Sequence, residues 1–251
     1  MTAPAAPALS TQSELSDERV VIIGGTSGIG WATALRSVAL GASVVVASRR
    51  PEAVAVALGR LPESVEGYTL DVRDVEAVRT FFADIGEHDH LVVTAGDDLL
   101  FGALADTDLR AMQELASVRV WGAIAATQAA LPYVRKSVTL SGGAGYLRPT
   151  PGFTACATIL GAIEAFTRAA AAELAPVRVN AVFPGLVRSP LWDGMAEAER
   201  EQFYNATAAE LPVGRVGEPT DIAKAFTHLM SNGYTTGQTL VIDGGATIGA
   251  R

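Results

Sequence analysis

The chain reads as an alternation of short apolar runs and longer segments with apolar positions at helical spacing. The runs at residues 20–23 and 43–47 are rich in Val and Ile and suit strands buried on both faces. Further strands are predicted at 66–70, 90–94, 137–141, 177–182 and 239–242. Helices are predicted from Ile29 onward and at 52–59, 75–84, 108–131, 154–174 and 221–230. Strands joined by helices give a parallel sheet with right-handed crossovers. The pattern shows no internal repeat and no linker, so one α/β domain is expected over 19–251. Residues 191–211 break the alternation and are rich in Ala, Glu and aromatics. They predict a helical lid, near 190–212, over the strand ends where ligands of such sheets bind. A surface hairpin with no gating role fits the same pattern.

Composition narrows the classes. With 251 residues, 49% hydrophobic and 18% charged, the chain can bury a large core. Net charge is −8 and no Lys/Arg cluster forms a stripe, which argues against nucleic acid as a partner. One cysteine allows no intramolecular disulfide and suits a reducing, cytoplasmic setting. No apolar run is expected to cross a membrane, and no spacing suggests a metal site. Residues 1–18 read as a disordered tail.

The first strand leads into chemistry. Gly24, Gly28 and Gly30 follow it, with Thr26 and Ser27 between them. Glycine permits a tight turn and close approach of a phosphate to the main chain. The N-terminus of the following helix offers free N–H groups and a positive dipole end. An ordinary Gly-rich turn is the bland alternative. The strand before, the helix after and a second strand beyond favour a nucleotide pyrophosphate. The second strand ends in Ser48, Arg49 and Arg50 with no carboxylate. An acid there would hold the ribose 2′-hydroxyl of NAD, whereas arginine offers paired donors to a 2′-phosphate. NADP(H) is therefore the expected cofactor.

Several motifs match the short-chain dehydrogenase/reductase family in order. They are IGGTSGIG at 23–30, LDVRD at 70–74, TAG at 94–96, QAALP at 128–132, RVNAVFPGLVRSPLW at 178–192, PVGRVGEPTDIA at 212–223 and VIDGG at 241–245. The chain resembles that family over nearly its whole length after the tail. The resemblance implies a doubly wound (Rossmann) parallel sheet of seven strands with helices on both faces. It also implies a small-molecule substrate and a homodimer or homotetramer built on the long helices. It places cofactor contacts at Gly24, Thr26, Ser27, Gly28, Ile29, Gly30, Ser48, Arg49, Asp71, Val72, Ala95, Gly96, Pro184, Gly185 and Val187. Asp71 would meet adenine, with capping of the helix near Asp74 as its alternative role. Ile23 stands where the family usually has threonine.

The catalytic set departs from the family. Its tyrosine and lysine, spaced Y-x-x-x-K, fall on Cys156 and Leu160. Its catalytic asparagine falls on Arg119, and the asparagine of its N-A-G triplet on Thr94. The serine aligns with Ser141, or by a shift of one with Gly142. No tyrosine lies between Tyr146 and Tyr204, and no lysine between Lys136 and Lys224. Reduction of a carbonyl leaves an alkoxide, and a positioned acid contributes ~10²–10⁴-fold to protonating it. The candidates here are Ser141, Cys156 and Arg119, the last as a substitute positive charge. Cys156 as a small buried hydrophobe is the bland reading. Asp97, Asp98 and Tyr146 follow strands into the cleft, each also readable as a plain loop residue. His88 and His90 precede the fourth strand at the wrong end, and His228 is remote. Three readings follow: an NADP(H)-dependent oxidoreductase with substitute residues, a non-redox enzyme such as a dehydratase, isomerase or cyclase, and an inactive cofactor-binding sensor or partner subunit.

Overall fold

The computed structural model describes residues 14–96 and 98–249. Seven parallel strands form one sheet in the order β3-β2-β1-β4-β5-β6-β7. In chain order the elements are β1 (Arg19–Ile23), α1 (Gly28–Ala39), β2 (Ser43–Ser48), α2 (Pro51–Leu58), β3 (Glu66–Thr69), α3 (Val75–Ile85) and β4 (His88–Val93). Then come α4 (Leu109–Ala116), α5 (Ala123–Ala130), β5 (Val134–Ser141), α6 (Thr154–Glu173), β6 (Arg178–Pro184), α7 (Glu197–Glu210), α8 (Pro219–Ser231) and β7 (Thr239–Ile242).

The two-residue period of the strands sorts the core into two layers. Val21 and Ile23 of β1 pack with the layer of α3, α5 and α6. Val20 and Ile22 pack with α1, α2 and α8 on the other face. All four are essentially inaccessible to water, and burying each such side chain is worth ~1.5–3 kcal/mol. Strand order reverses at β1, whose neighbours are β2 and β4. Ligands of open α/β sheets bind at the carboxyl ends beside such a switch point.

Four expectations need correction. Residues 14–18 are not a loose tail. Leu15 is fully buried, and Glu18 accepts from Lys136 Nζ and pairs with His90 Nε2, each at 2.6 Å. Burial alone would raise the Glu18 carboxyl, but its bonds to His90 and Lys136 bring it down to about 2. The histidines do not precede β4 but lie inside it, both buried, and His90 Nδ1 meets Ser137 Oγ at 2.7 Å. They remain at the amino end of the sheet.

The helix expected over 108–131 is broken by a π-helical segment at Ser117–Gly122. A Cβ on Gly122 would stand 2.5 Å from Val72 Cγ2, so the helix runs very close to the loop after β3. Finally, α6 does satisfy the length and composition of a membrane span, with a mean hydropathy of 1.3. Its apolar character instead serves packing: Ile163 and Ala170 are buried in the core layer beneath β5 and β6.

Candidate functional site

A cleft of ≈ 860 Å³ opens at the carboxyl ends of β1, β4, β5 and β6. A hollow of ≈ 100 Å³ adjoins it and shares Ser27, Arg49, Thr94 and Gly96 with it. Every residue assigned to the cofactor from sequence lines one of the two.

Backbone geometry shapes the first part of this surface. Gly24 has φ +91°, and a Cβ there would lie 2.7 Å from the Ala95 nitrogen. A Cβ on Gly30 would lie 2.2 Å from the Gly24 carbonyl oxygen. Ser27 takes the N-cap of α1 with an extended backbone, and its hydroxyl makes no cap bond. The first turn carries no acidic residue. The amide groups and positive end of α1 are thus presented to an anion. Arg49 and Arg50 line both hollows at the end of β2. A glycine cradle, a helix N-terminus and two guanidinium groups fit a pyrophosphate and a 2′-phosphate.

Asp71 lies in the smaller hollow and chelates Arg73, with Oδ2–Nη2 at 2.5 Å and Oδ1–Nε at 3.0 Å. Those bonds hold its carboxyl below the ordinary range. It does not cap α3. Asp74 does, accepting from the Glu76 and Ala77 amides. Thr94 donates to the Ile23 carbonyl at 3.2 Å, tying β4 to the glycine turn.

Side chains define the reacting end. Ser141, at the tip of β5, lines the cleft beside Gly142 and Gly143. Leu160 also lines it, and a Cβ on Gly143 would touch its Cδ1 at 3.2 Å. Cys156 is brought near but not in. It is 1% exposed and does not line the cleft. Its sulfur donates to the Leu100 carbonyl and accepts from the Leu100 amide, both at 3.1 Å. Burial pushes the thiol up from its ordinary range.

Arg119 lines the cleft from within the π-helical segment. Its guanidinium donates to the carbonyls of Gly96 at 3.2 Å and Asp98 at 2.9 Å. These bonds hold it against the loop after β4, at the wall of the cleft. Asp98 takes part through its carbonyl, while Asp97 lies outside the described residues.

Tyr146 turns away. Its hydroxyl donates to Glu164 in a short hydrogen bond, and its ring packs edge-on against Phe183. Burial and the Glu164 carboxylate raise the phenol far above its ordinary value, so it serves as a clamp on α6. His228 lies in the last turn of α8, beside Asn232 and away from the cleft. No cluster of three metal-ligating side chains occurs among the described residues.

Sequence reasoning missed much of the substrate side. Leu99, Phe101, Arg148, Phe153, Phe203 and Glu210 line the cleft. Their signal was position: most sit in loops that follow β4 and β5, or in the segment after β6.

The family model described as "Enoyl-(Acyl carrier protein) reductase" matches residues 24–247. The short-chain dehydrogenase/reductase ucsE of Acremonium sp is 33% identical, with 96% of this chain and 99% of that protein covered. A solved small-chain dehydrogenase in complex with NADPH is 35% identical, with a TM-score of 0.83 over 92% of this chain and 99% of that one. The MalC reductase/Diels-Alderase of Malbranchea aurantiaca is 26% identical, with a TM-score of 0.85 over 95% of this chain and 100% of that one. Sheet order, glycine cradle and these likenesses agree: the chain belongs to the short-chain dehydrogenase/reductase family.

Proposed function

We propose that this protein is an NADP(H)-dependent oxidoreductase of a small carbonyl or hydroxyl compound, working with an atypical catalytic set. The carrying observation is that the whole expected cofactor surface lines the cleft and the hollow adjoining it, and that Ser141 and Arg119 line the same cleft. The solved relative in complex with NADPH supports the choice of cofactor. Gly24, Gly28, Gly30 and the amino end of α1 would hold the pyrophosphate, and Arg49 the 2′-phosphate. The bound cofactor supplies the two-electron reducing equivalent.

The chain's own residues manage the oxygen of the substrate. Ser141 donates a hydrogen bond to it and passes it a proton that solvent replaces. Arg119 offsets the negative charge that develops there, standing in for the absent ammonium. Leu160 keeps the floor dry, which strengthens both interactions. Cys156, its thiol engaged by Leu100, contributes packing.

The test follows NADPH absorbance with a panel of carbonyl substrates. Substrate-dependent oxidation that falls in Ser141→Ala and Arg119→Leu supports the reading. Simple ketones and aldehydes are expected to react little, because the phenol and ammonium are both missing.

A second reading is non-redox catalysis such as cyclisation in the same cleft. It is favoured by the apolar Leu160 and sequestered Cys156 at the proton-handling positions, and by likeness to a reductase/Diels-Alderase. Turnover that leaves NADPH unchanged would establish it. Tight cofactor binding without any turnover would mark the sensor or partner-subunit role instead.

We also infer a homodimer or homotetramer. The outward face of α6 presents Thr158, Ala165, Ala169 and Ala172, and Trp121 nearby is 64% exposed. Light scattering that gives a 26.0 kDa particle at micromolar concentration would contradict it.

A further inference from the structure

We propose that the substrate bound beside the cofactor is a flat aromatic or polycyclic molecule carrying an acidic group, a carboxylate or acidic phenol. This rests on the oxidoreductase reading of the same cleft and names its substrate class.

Two aromatic pairs line the cleft. Phe101 and Phe153 stand with ring centroids 5.7 Å apart, tilted by 38°. They come from the loops after β4 and β5, which are tied by the Gly102 amide donating to the Gly152 carbonyl at 2.9 Å. Trp192 and Phe203 stand 5.2 Å apart, tilted by 53°. They come from the segment after β6, and the Trp192 indole N–H donates to the Val187 carbonyl at 3.2 Å. The first pair thus follows β4 and β5, and the second follows β6, the next strand in the sheet.

Phe101 is 57% exposed although it faces a cleft. A large exposed aromatic in a concave site marks surface that a ligand covers. Aromatic faces and edges favour a planar π-system over a flexible aliphatic chain of equal area.

Charge supplies the second half of the proposal. The protein carries −8 overall, yet among the described residues its cleft is lined by Arg49, Arg50, Arg119 and Arg148 against one acid, Glu210. Arg49 and Arg50 stand at the cofactor end. Arg148, in the loop after β5, donates to the Ala246 carbonyl at 3.2 Å through one of its nitrogens. The fork of a guanidinium matches a carboxylate or phenolate oxygen.

The test is calorimetric titration of the full chain, saturated with NADP⁺, using anthracene carboxylate, anthracene methanol and octanoate as probes. NADP⁺ binding is measured first, by itself. Its absence would sink the cofactor reading; its presence without anthracene carboxylate binding would sink only this inference. Anthracene carboxylate is expected to bind about tenfold more tightly than octanoate. Phe101→Ala, a surface change that leaves the core intact, should weaken it about tenfold. Arg148→Ala should weaken the carboxylate about tenfold and leave the alcohol unchanged. Octanoate binding as tightly as anthracene carboxylate would overturn the aromatic half. Equal losses for acid and alcohol in Arg148→Ala, or no loss for either, would overturn the acidic half.

Discussion

Around β1 the cleft is made of backbone. Around β5 and α6 it is made of side chains. At Gly30 a single added carbon would stand 2.2 Å from a main-chain oxygen, so residue identity there is dictated by the path of the chain itself. At position 160 a leucine fills the wall where the family's lysine is expected, with its methyl groups against Gly143. The fold accommodates that leucine because helix propensity and volume are kept while chemistry is lost. Under the proposed catalytic set, the cradle persists where the reacting groups are exchanged.

The strongest attempt to break this contrast is Gly30→Ala. It should cost about 3 kcal/mol of stability through overpacking and abolish cofactor binding, read by urea denaturation and calorimetric titration. A tolerated methyl group would show that the cradle is looser than its backbone indicates. Next in size is Arg119→Leu, expected to lower kcat about a hundredfold by removing charge stabilisation, with Arg119→Lys recovering part of the loss. An effect confined to KM would mean that the arginine only orders the loop after β4. Arg49→Asp should then remove an NADP(H) preference of roughly 10- to 150-fold, because each hydrogen bond to a charged group is worth ~1.5–3 kcal/mol. Equal affinity for NAD(H) and NADP(H) in the unaltered protein would contradict the assignment.

A control lies at the amino end of the sheet, remote from both regions. The folded Glu18 sits at about 2, well below its ordinary 4.5. Its stabilisation is thus complete above pH 4.5 and is lost as pH falls toward 2. Glu18→Gln should cost roughly 2 kcal/mol at pH 7 and flatten stability across that acid window, with cofactor affinity unchanged. The smallest effects belong to Cys156→Ala and Tyr146→Phe, each about threefold or less on turnover. A hundredfold loss in either would return that residue to the chemistry.

The sequence made the alternation of strands and helices legible because buried parallel strands are continuous Val/Ile runs and the glycine turn has a fixed spacing. β7 was readable to the residue, whereas β4 starts two positions before its expected boundary at His90. The break at Ser117–Gly122 was not legible. It depends on Gly122 running against Val72, and on Arg119 reaching the carbonyls of Gly96 and Asp98, contacts that no local pattern announces. Cys156 could be placed on α6 by alignment, but its withdrawal from the cleft depends on Leu100, 56 residues away in sequence. The tail reads as unstructured through residue 18 because, among its described residues, the buried Leu15 stands between polar neighbours.

That short stretch has a bearing on how the chain assembles during synthesis. Leu15 meets the backbone of Leu40 almost at once. Glu18, by contrast, waits for a lysine 118 positions downstream and a histidine 72 positions downstream. Until β5 has emerged from the ribosome, the seal at the amino end of the first strand lacks its lysine. Its last bond closes only after the midpoint of the chain has been made, and it fastens the earliest strand to the middle of the finished sheet.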